Sequence, residues 1–170
     1  DWHEFHHSAT EMTIFSEWRK SLLEETFRRI IVWPLNILVA IITLKYLSEG
    51  FLLPCYIYII HFTMTYINAF IGHSSLLIIY PKPLSFIYMS PSLHWLHHSA
   101  NKSHYDTNFG TGFVFWDKLF GTYLDETHIK DIKEFGVKNT EYNKYNPFYS
   151  LTFIPILKTI KRLKNFNFAR

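Results

Sequence analysis

From Phe51 to Ile71 the chain carries no Asp, Glu, Lys or Arg. From Ile30 to Leu47 it carries one charge, Lys45. A helix needs roughly 20 apolar residues to cross a bilayer, and both runs approach that length. Only Ser48-Glu49-Gly50, a polar break with turn chemistry, lies between them. Such a chain is expected to cross a membrane and return, with segments 30–47 and 51–71 as the two spans. Pro34 and Pro54 are expected in the first turns of these helices, where a missing N–H is tolerated. The competing reading is a pair of buried core helices in a soluble protein. Two adjacent apolar runs of this length weigh against it.

The flanks suggest an orientation. Arg19, Lys20, Arg28 and Arg29 precede the first run and Lys82 follows the second, while the turn holds only Lys45 and Glu49. Excess Lys and Arg mark the cytoplasmic side, so both outer flanks are expected there. A hairpin therefore returns the chain to the side it left. Whatever precedes residue 30 can meet whatever follows residue 71.

The chemistry-bearing residues lie on those two flanks. Residues 3–9 read His-Glu-Phe-His-His-Ser-Ala and residues 94–100 read His-Trp-Leu-His-His-Ser-Ala. Seven of the ten histidines fall in or beside these boxes: His3, His6, His7, His94, His97, His98 and His104. On a helix, positions i, i+3 and i+4 share a face, so each box offers three imidazoles on one side. Imidazole binds zinc, iron, copper and nickel. Six rings exceed the four ligands of a structural zinc site and suit two metals side by side. One such box could arise by chance. Two, each followed by Ser-Ala and reunited by a hairpin, are hard to read as surface clusters. His73, at the expected cytoplasmic end of the second span, reads as a further ligand, against a capping role. His104 is also a candidate ligand. Asp106 and Asn108 are expected to orient ligating rings from behind, since bound imidazoles usually donate their other N–H to an acceptor. His61 lies too deep in the second span to join the boxes, and His128 sits in a polar loop.

Composition narrows the remaining classes. Charged residues make up 18% and aromatics 19% of the 170 residues, against roughly 25% charged in soluble domains. The net charge is +3 with scattered Lys and Arg, unlike a nucleic-acid arm. The lone Cys55 excludes an internal disulfide and a Cys-rich zinc site. From Pro147 onward, apolar residues alternate with Lys158, Lys161, Arg162 and Lys164. That pattern fits a helix at the membrane interface or an ordinary surface helix. The chain opens on Asp1, just before a box, and is expected to continue a longer sequence upstream.

These motifs resemble the fatty acid hydroxylase/sterol desaturase superfamily of membrane-integral histidine-box oxygenases. The matching stretches are His3-Glu4-Phe5-His6-His7-Ser8, Ile71-Gly72-His73-Ser74, Pro91-Ser92-Leu93-His94-Trp95-Leu96-His97-His98-Ser99 and His104-Tyr105-Asp106-Thr107-Asn108-Phe109-Gly110, continuing through Phe115-Trp116-Asp117-Lys118-Leu119-Phe120-Gly121-Thr122-Tyr123. They cover most of residues 1–123. The family's earlier box, His-x3-His or His-x4-His, has no counterpart here, so the resemblance leaves two expected ligands outside this sequence. It implies an all-α fold: a membrane helical hairpin, a cytoplasmic histidine-rich helical cap and a C-terminal interfacial helix, forming one domain over residues 1–170.

The implied activity is hydroxylation or desaturation of a lipid C–H bond with O2. The implied cofactor is two iron ions, with zinc possible after isolation. The implied partners are the bilayer, a sterol, fatty acyl or related substrate, and an electron donor such as cytochrome b5 or a ferredoxin/reductase. The implied location is the endoplasmic reticulum or a bacterial inner membrane. A lipid aldehyde or ether-cleaving enzyme on the same scaffold, or a non-enzymatic metal-binding membrane protein, would carry similar boxes. A metal carrier would need ligands through both spans, where only His61 sits. A soluble zinc hydrolase is disfavoured by the spans and by the absence of a clear carboxylate base beside either box.

Overall fold

The computed structural model describes residues 2–137 and 141–168, and their regular structure is helical, with no strand among them. Helix α1 (Glu4–His7) carries the first box, and His3 stands at its N-cap. A 3-10 turn (Ile14–Trp18) follows. Ser21 caps α2 (Leu22–Phe27), its hydroxyl accepting the Glu24 N–H at 3.2 Å. A π-helical turn (Arg28–Val32) joins α2 to α3 (Trp33–Ser48) without a break, so one helix runs from Leu22 to Ser48.

Pro34 lies in the first turn of α3, as expected, but α3 continues a helical run that already begins at Leu22, ahead of the expected start at Ile30. A proline inside a helix removes one backbone donor and crowds the carbonyl four residues back. The π-turn just before it bonds Trp33 N–H to Arg28 O, five residues back, and so loosens the winding where the ring must fit. Pro54 likewise lies in the first turn of its helix, α4 (Leu52–Gly72).

The hairpin turn closes on Gly50, whose φ of 84° lies in the left-handed region. Phe51 N–H reaches back to Tyr46 O at 2.9 Å and Gly50 N–H to Leu47 O at 3.0 Å, the bonding of a glycine-terminated helix. Few side chains in the hairpin are covered. Helix α3 has no buried residue, and α4 buries only Cys55, Asn68 and Gly72. The two helices are long and apolar enough to cross a bilayer. Such a wide bare apolar surface calls for a lipid environment.

Past α4 the character reverses. Helices α5 (Leu84–Ile87) and α6 (Pro91–His97) lead into the second box, with Ser90 capping α6 and Pro91 at its first position. Met89, Leu93, Leu96 and Val114 form a dry core under Tyr123, Leu124, Ile129 and Ile132. Asn68, buried at the end of α4, donates to Met89 O at 2.9 Å and ties the hairpin to this core. Helix α7 (Phe115–Phe120) places the buried Asp117 carboxylate over the preceding loop, where it accepts from Phe109 N–H (2.8 Å), Gly110 N–H (2.9 Å) and Thr122 Oγ1 (2.7 Å).

Helix α8 (Pro147–Phe168) lies over α1. Ile154 packs with Phe5 and Tyr142, Lys158 pairs with Glu4 at 2.5 Å, and Thr159 accepts from Trp2 Nε1 at 2.9 Å. Phe153, Leu157 and Ile160 remain exposed. The helix thus packs on the domain by one face and keeps an apolar stripe outward by another.

Candidate metal centre

The hairpin brings both boxes and His73 together. His73 follows the last turn of α4, and its Nε2 lies 2.9 Å from His6 Nε2, 3.0 Å from His94 Nε2 and 3.1 Å from His98 Nε2. His94 and His98 Nε2 are 3.1 Å apart. Beside this foursome stands a second group, His3, His7 and His97. The His7 ring stacks on His98 at 4.4 Å and meets His97 at 4.5 Å.

Each box is divided between the two groups in the same way. His3 and His7 go together while His6 crosses over; His94 and His98 go together while His97 crosses over. Helical winding explains the division. At about 100° per residue, positions i and i+4 are roughly 40° apart, whereas i+3 lies about 100° from i+4. The i, i+4 pair therefore shares one site and the middle histidine serves the neighbouring one. The expectation of three rings on one side holds coarsely, but each box straddles two sites.

Protons can be assigned on three rings. His73 Nδ1 lies 2.6 Å from Ala69 O, His97 Nδ1 2.8 Å from Thr107 O, and His3 Nδ1 2.9 Å from Glu24 Oε1. Carbonyl and carboxylate oxygens only accept, so these Nδ1 atoms carry the protons and each Nε2 keeps a lone pair. The single lone pair of His73 Nε2 cannot accept from three rings at once. A cation resolves the crowding: with bonds of about 2.1 Å, nitrogens at right angles stand roughly 3.0 Å apart and tetrahedral ones roughly 3.4 Å. The donor set thus fits a metal ion.

The electrostatics agree. Burial, followed by the neighbouring rings, holds His6, His94 and His98 well below the usual histidine range. Burial lowers His7 to about 2 and His97 to about 4. At neutral pH these rings are uncharged, the form that binds metal.

Of the eight expected ligands the structure gathers seven and places His104 elsewhere. His104 follows α6 on a 3-10 turn (Lys102–His104) and groups with His128 and Asp131. Asn108 contacts none of the rings: its amide bonds Leu93 O, Leu124 O and Leu124 N–H. Asp106 is exposed on the same turn, and both residues have positive φ, 58° and 52°. His61 stays apart from the cluster, stacked on Phe113. The atoms that hold rings from behind include Ala69 O, Thr107 O and the Glu24 carboxylate, and Glu17 Oε2 also stands 3.4 Å from His73 Nδ1. No spacing rule points to them. Two belong to the backbone, and Glu24 is one charge among several in residues 1–29.

The family model for fatty acid hydroxylases matches residues 1–122. The chain belongs to the fatty acid hydroxylase family. Among curated relatives, alkylglycerol monooxygenase of Caenorhabditis elegans is 35% identical over 101 residues, 59% of this chain and 19% of that protein. Its Xenopus tropicalis namesake is 26% identical over 146 residues, 86% of this chain and 28% of that protein. The Homo sapiens protein is 27% identical over 124 residues, 73% of this chain and 24% of that protein. The chain thus spans less than a third of these relatives' lengths. No solved structure matches it.

Proposed function

We propose that this chain is the histidine-box domain of a membrane-bound, O2-dependent lipid monooxygenase whose substrate is an ether lipid of the alkylglycerol kind. The observation that carries the reading is the convergence of seven imidazoles from three separate segments into two adjacent groups at one end of an apolar hairpin. The family membership and the names of the relatives support the same activity.

In this reading His6, His73, His94 and His98 hold one iron, and His3, His7 and His97 contribute to a second. When bound, the metal pair supplies O2 reduction and the oxidation of an unactivated C–H bond. The protein's own part is to fix the rings and shape a dry approach. Glu24 and the Ala69 and Thr107 carbonyls set which nitrogen faces the metal. Asp117 holds the Phe109–Gly110 backbone, which walls a cavity of about 610 Å³ between α4 and α7. His61, Thr65, Phe109, Phe113, Trp116 and Phe120 are among its lining residues, and the Phe109 ring lies 5.7 Å from His97. A mostly apolar cavity with a few polar groups suits a chain bearing a polar end. His61 Nδ1 and Thr65 Oγ1 are buried there without a hydrogen-bond partner among the described residues, and can take the oxygen atoms of such a lipid.

Insertion of one oxygen atom at the carbon beside an ether oxygen gives a hemiacetal, which collapses to an aldehyde and a free alcohol. The second oxygen atom leaves as water, so each turnover consumes two electrons and two protons. An external two-electron donor is required, and a cytochrome b5 or a ferredoxin/reductase is the partner proposed for it. The basic flanks support a cytoplasmic position for the rings, in an endoplasmic reticulum or bacterial inner membrane. The packing of α8 on α1 argues that residues 1–170 form part of one domain.

The test uses the full-length protein in lipid with a reductant system and O2. Release of fatty aldehyde and glycerol from a 1-O-alkylglycerol, with one oxygen atom from 18O2 in the products, is expected. Oxidation of fatty acyl or sterol lipids but not of the ether would overturn the substrate. A metal-loaded protein inert towards all three would overturn the activity.

A further inference from the structure

We infer that His104, His128 and Asp131 form a cation site of their own, separate from the seven-ring cluster, that takes a divalent transition metal of the zinc type. The three residues come from two 3-10 turns, Lys102–His104 and Glu126–Asp131. One donor atom from each lies within 4.8 Å of the others.

His104 carries the argument. It is 1% exposed, and neither ring nitrogen has a hydrogen-bond partner among the described residues. A buried polar group is normally satisfied, and a ring with both nitrogens idle is the rarer case. What it faces is chemically specific. The His128 ring lies 6.2 Å away centre to centre, and His128 Nδ1 stands 3.4 Å from Asp131 Oδ2.

Two imidazoles and one carboxylate are a borderline-soft donor set with one negative charge, suited to zinc, with water completing four-coordination. The His128–Asp131 separation already equals the roughly 3.4 Å between neighbouring ligands of a tetrahedral ion with 2.1 Å bonds. The His128 and Asp131 side chains, 45% and 44% exposed, lie at the surface, where side-chain rotation can draw their donor atoms towards His104.

Such an ion would fasten the segment after α7 to the loop after α6. His104 O accepts from Thr107 Oγ1 at 2.6 Å, and Thr107 O holds His97 Nδ1 at 2.8 Å. The clamp therefore braces the turn that orients a ring of the main cluster, without touching that cluster.

The experiment is metal counting on the full-length protein, stripped with chelator and reloaded with Co2+. The parent is compared with a His128→Ala/Asp131→Ala double variant and with His104→Gln. The double variant alters two half-exposed side chains, so folding is retained, as near-ultraviolet circular dichroism would check. We expect each variant to bind one Co2+ fewer per chain than the parent and to lose the corresponding visible absorption bands. Equal stoichiometry in the parent and the double variant overturns the site. So does metal loss confined to His104→Gln, which would assign that ring to packing. The difference of one equivalent is read against whatever the seven-ring cluster holds, so this outcome stands apart from the oxygenase assignment.

Discussion

The hairpin and the cap are built on opposite rules. In α3 and α4, apolar side chains such as Ile41, Leu44, Leu53 and Ile60 point outward and are more than half exposed, and little is buried between the helices. In the cap, residues with no exposed surface to speak of include Ser90, Ser92, His98, Asn108 and Asp117. The hairpin is specified by what surrounds it, the cap by hydrogen bonds among its own polar groups. Substitutions in the hairpin should therefore respond to polarity and hardly to shape. In the cap the loss of one polar partner should be felt throughout.

The largest effect is expected at Asp117. Asp117→Ala leaves the Phe109 and Gly110 N–H groups and the Thr122 hydroxyl without their acceptor, and one unsatisfied buried donor costs roughly 1–3 kcal/mol. A loss of about 3 kcal/mol or more should appear as a lower thermal midpoint in detergent. A midpoint unchanged from the parent would break the contrast from the cap side. Next comes Ile60→Lys, which puts a charge near the middle of α4's bare face. Insertion of a charge at a helix centre costs roughly 2.5–3.5 kcal/mol, so the fraction integrated in a microsomal insertion assay should fall. Full integration would mean that α4 faces something other than lipid.

Glu24→Gln removes the carboxylate behind His3. Losses of roughly 10–100-fold in metal affinity or activity are typical for such partners, and a metal-buffer titration measures them. An unchanged affinity would show that the negative charge of Glu24 is not needed behind His3, since the Gln oxygen can still accept from Nδ1. The smallest effect belongs to Ile60→Val, expected within about 0.5 kcal/mol because the site is on the surface of the fold. A larger shift in the thermal midpoint would reveal close packing in the hairpin.

What was legible in the sequence follows the same division. The apolar runs announced the hairpin because lipid selects on composition, which any window of residues displays. The boxes and His73 could be read because helical spacing and a returning chain suffice to bring them together. Three things were hidden for local reasons. The start of the first long helix at Leu22 is one, because the π-turn that joins α2 to α3 cannot be seen in residue types. Proximity along the chain puts His104 with the cluster, but α6 ends at His97 and the turn after it swings the ring towards residues 126–131. Asp106 and Asn108 looked like ring partners, while their left-handed backbone makes them the bend itself.

One small feature sets a limit on the whole assembly. A methyl group built on Gly72 would come within 3.1 Å of the His94 ring, tighter than most carbon contacts allow. The main chain of α4 therefore acts as a stop against which that imidazole leans. A side chain at this position would press on that ring, so an alanine there requires the ring or the helix to yield by a few tenths of an ångström where His73 and His94 meet.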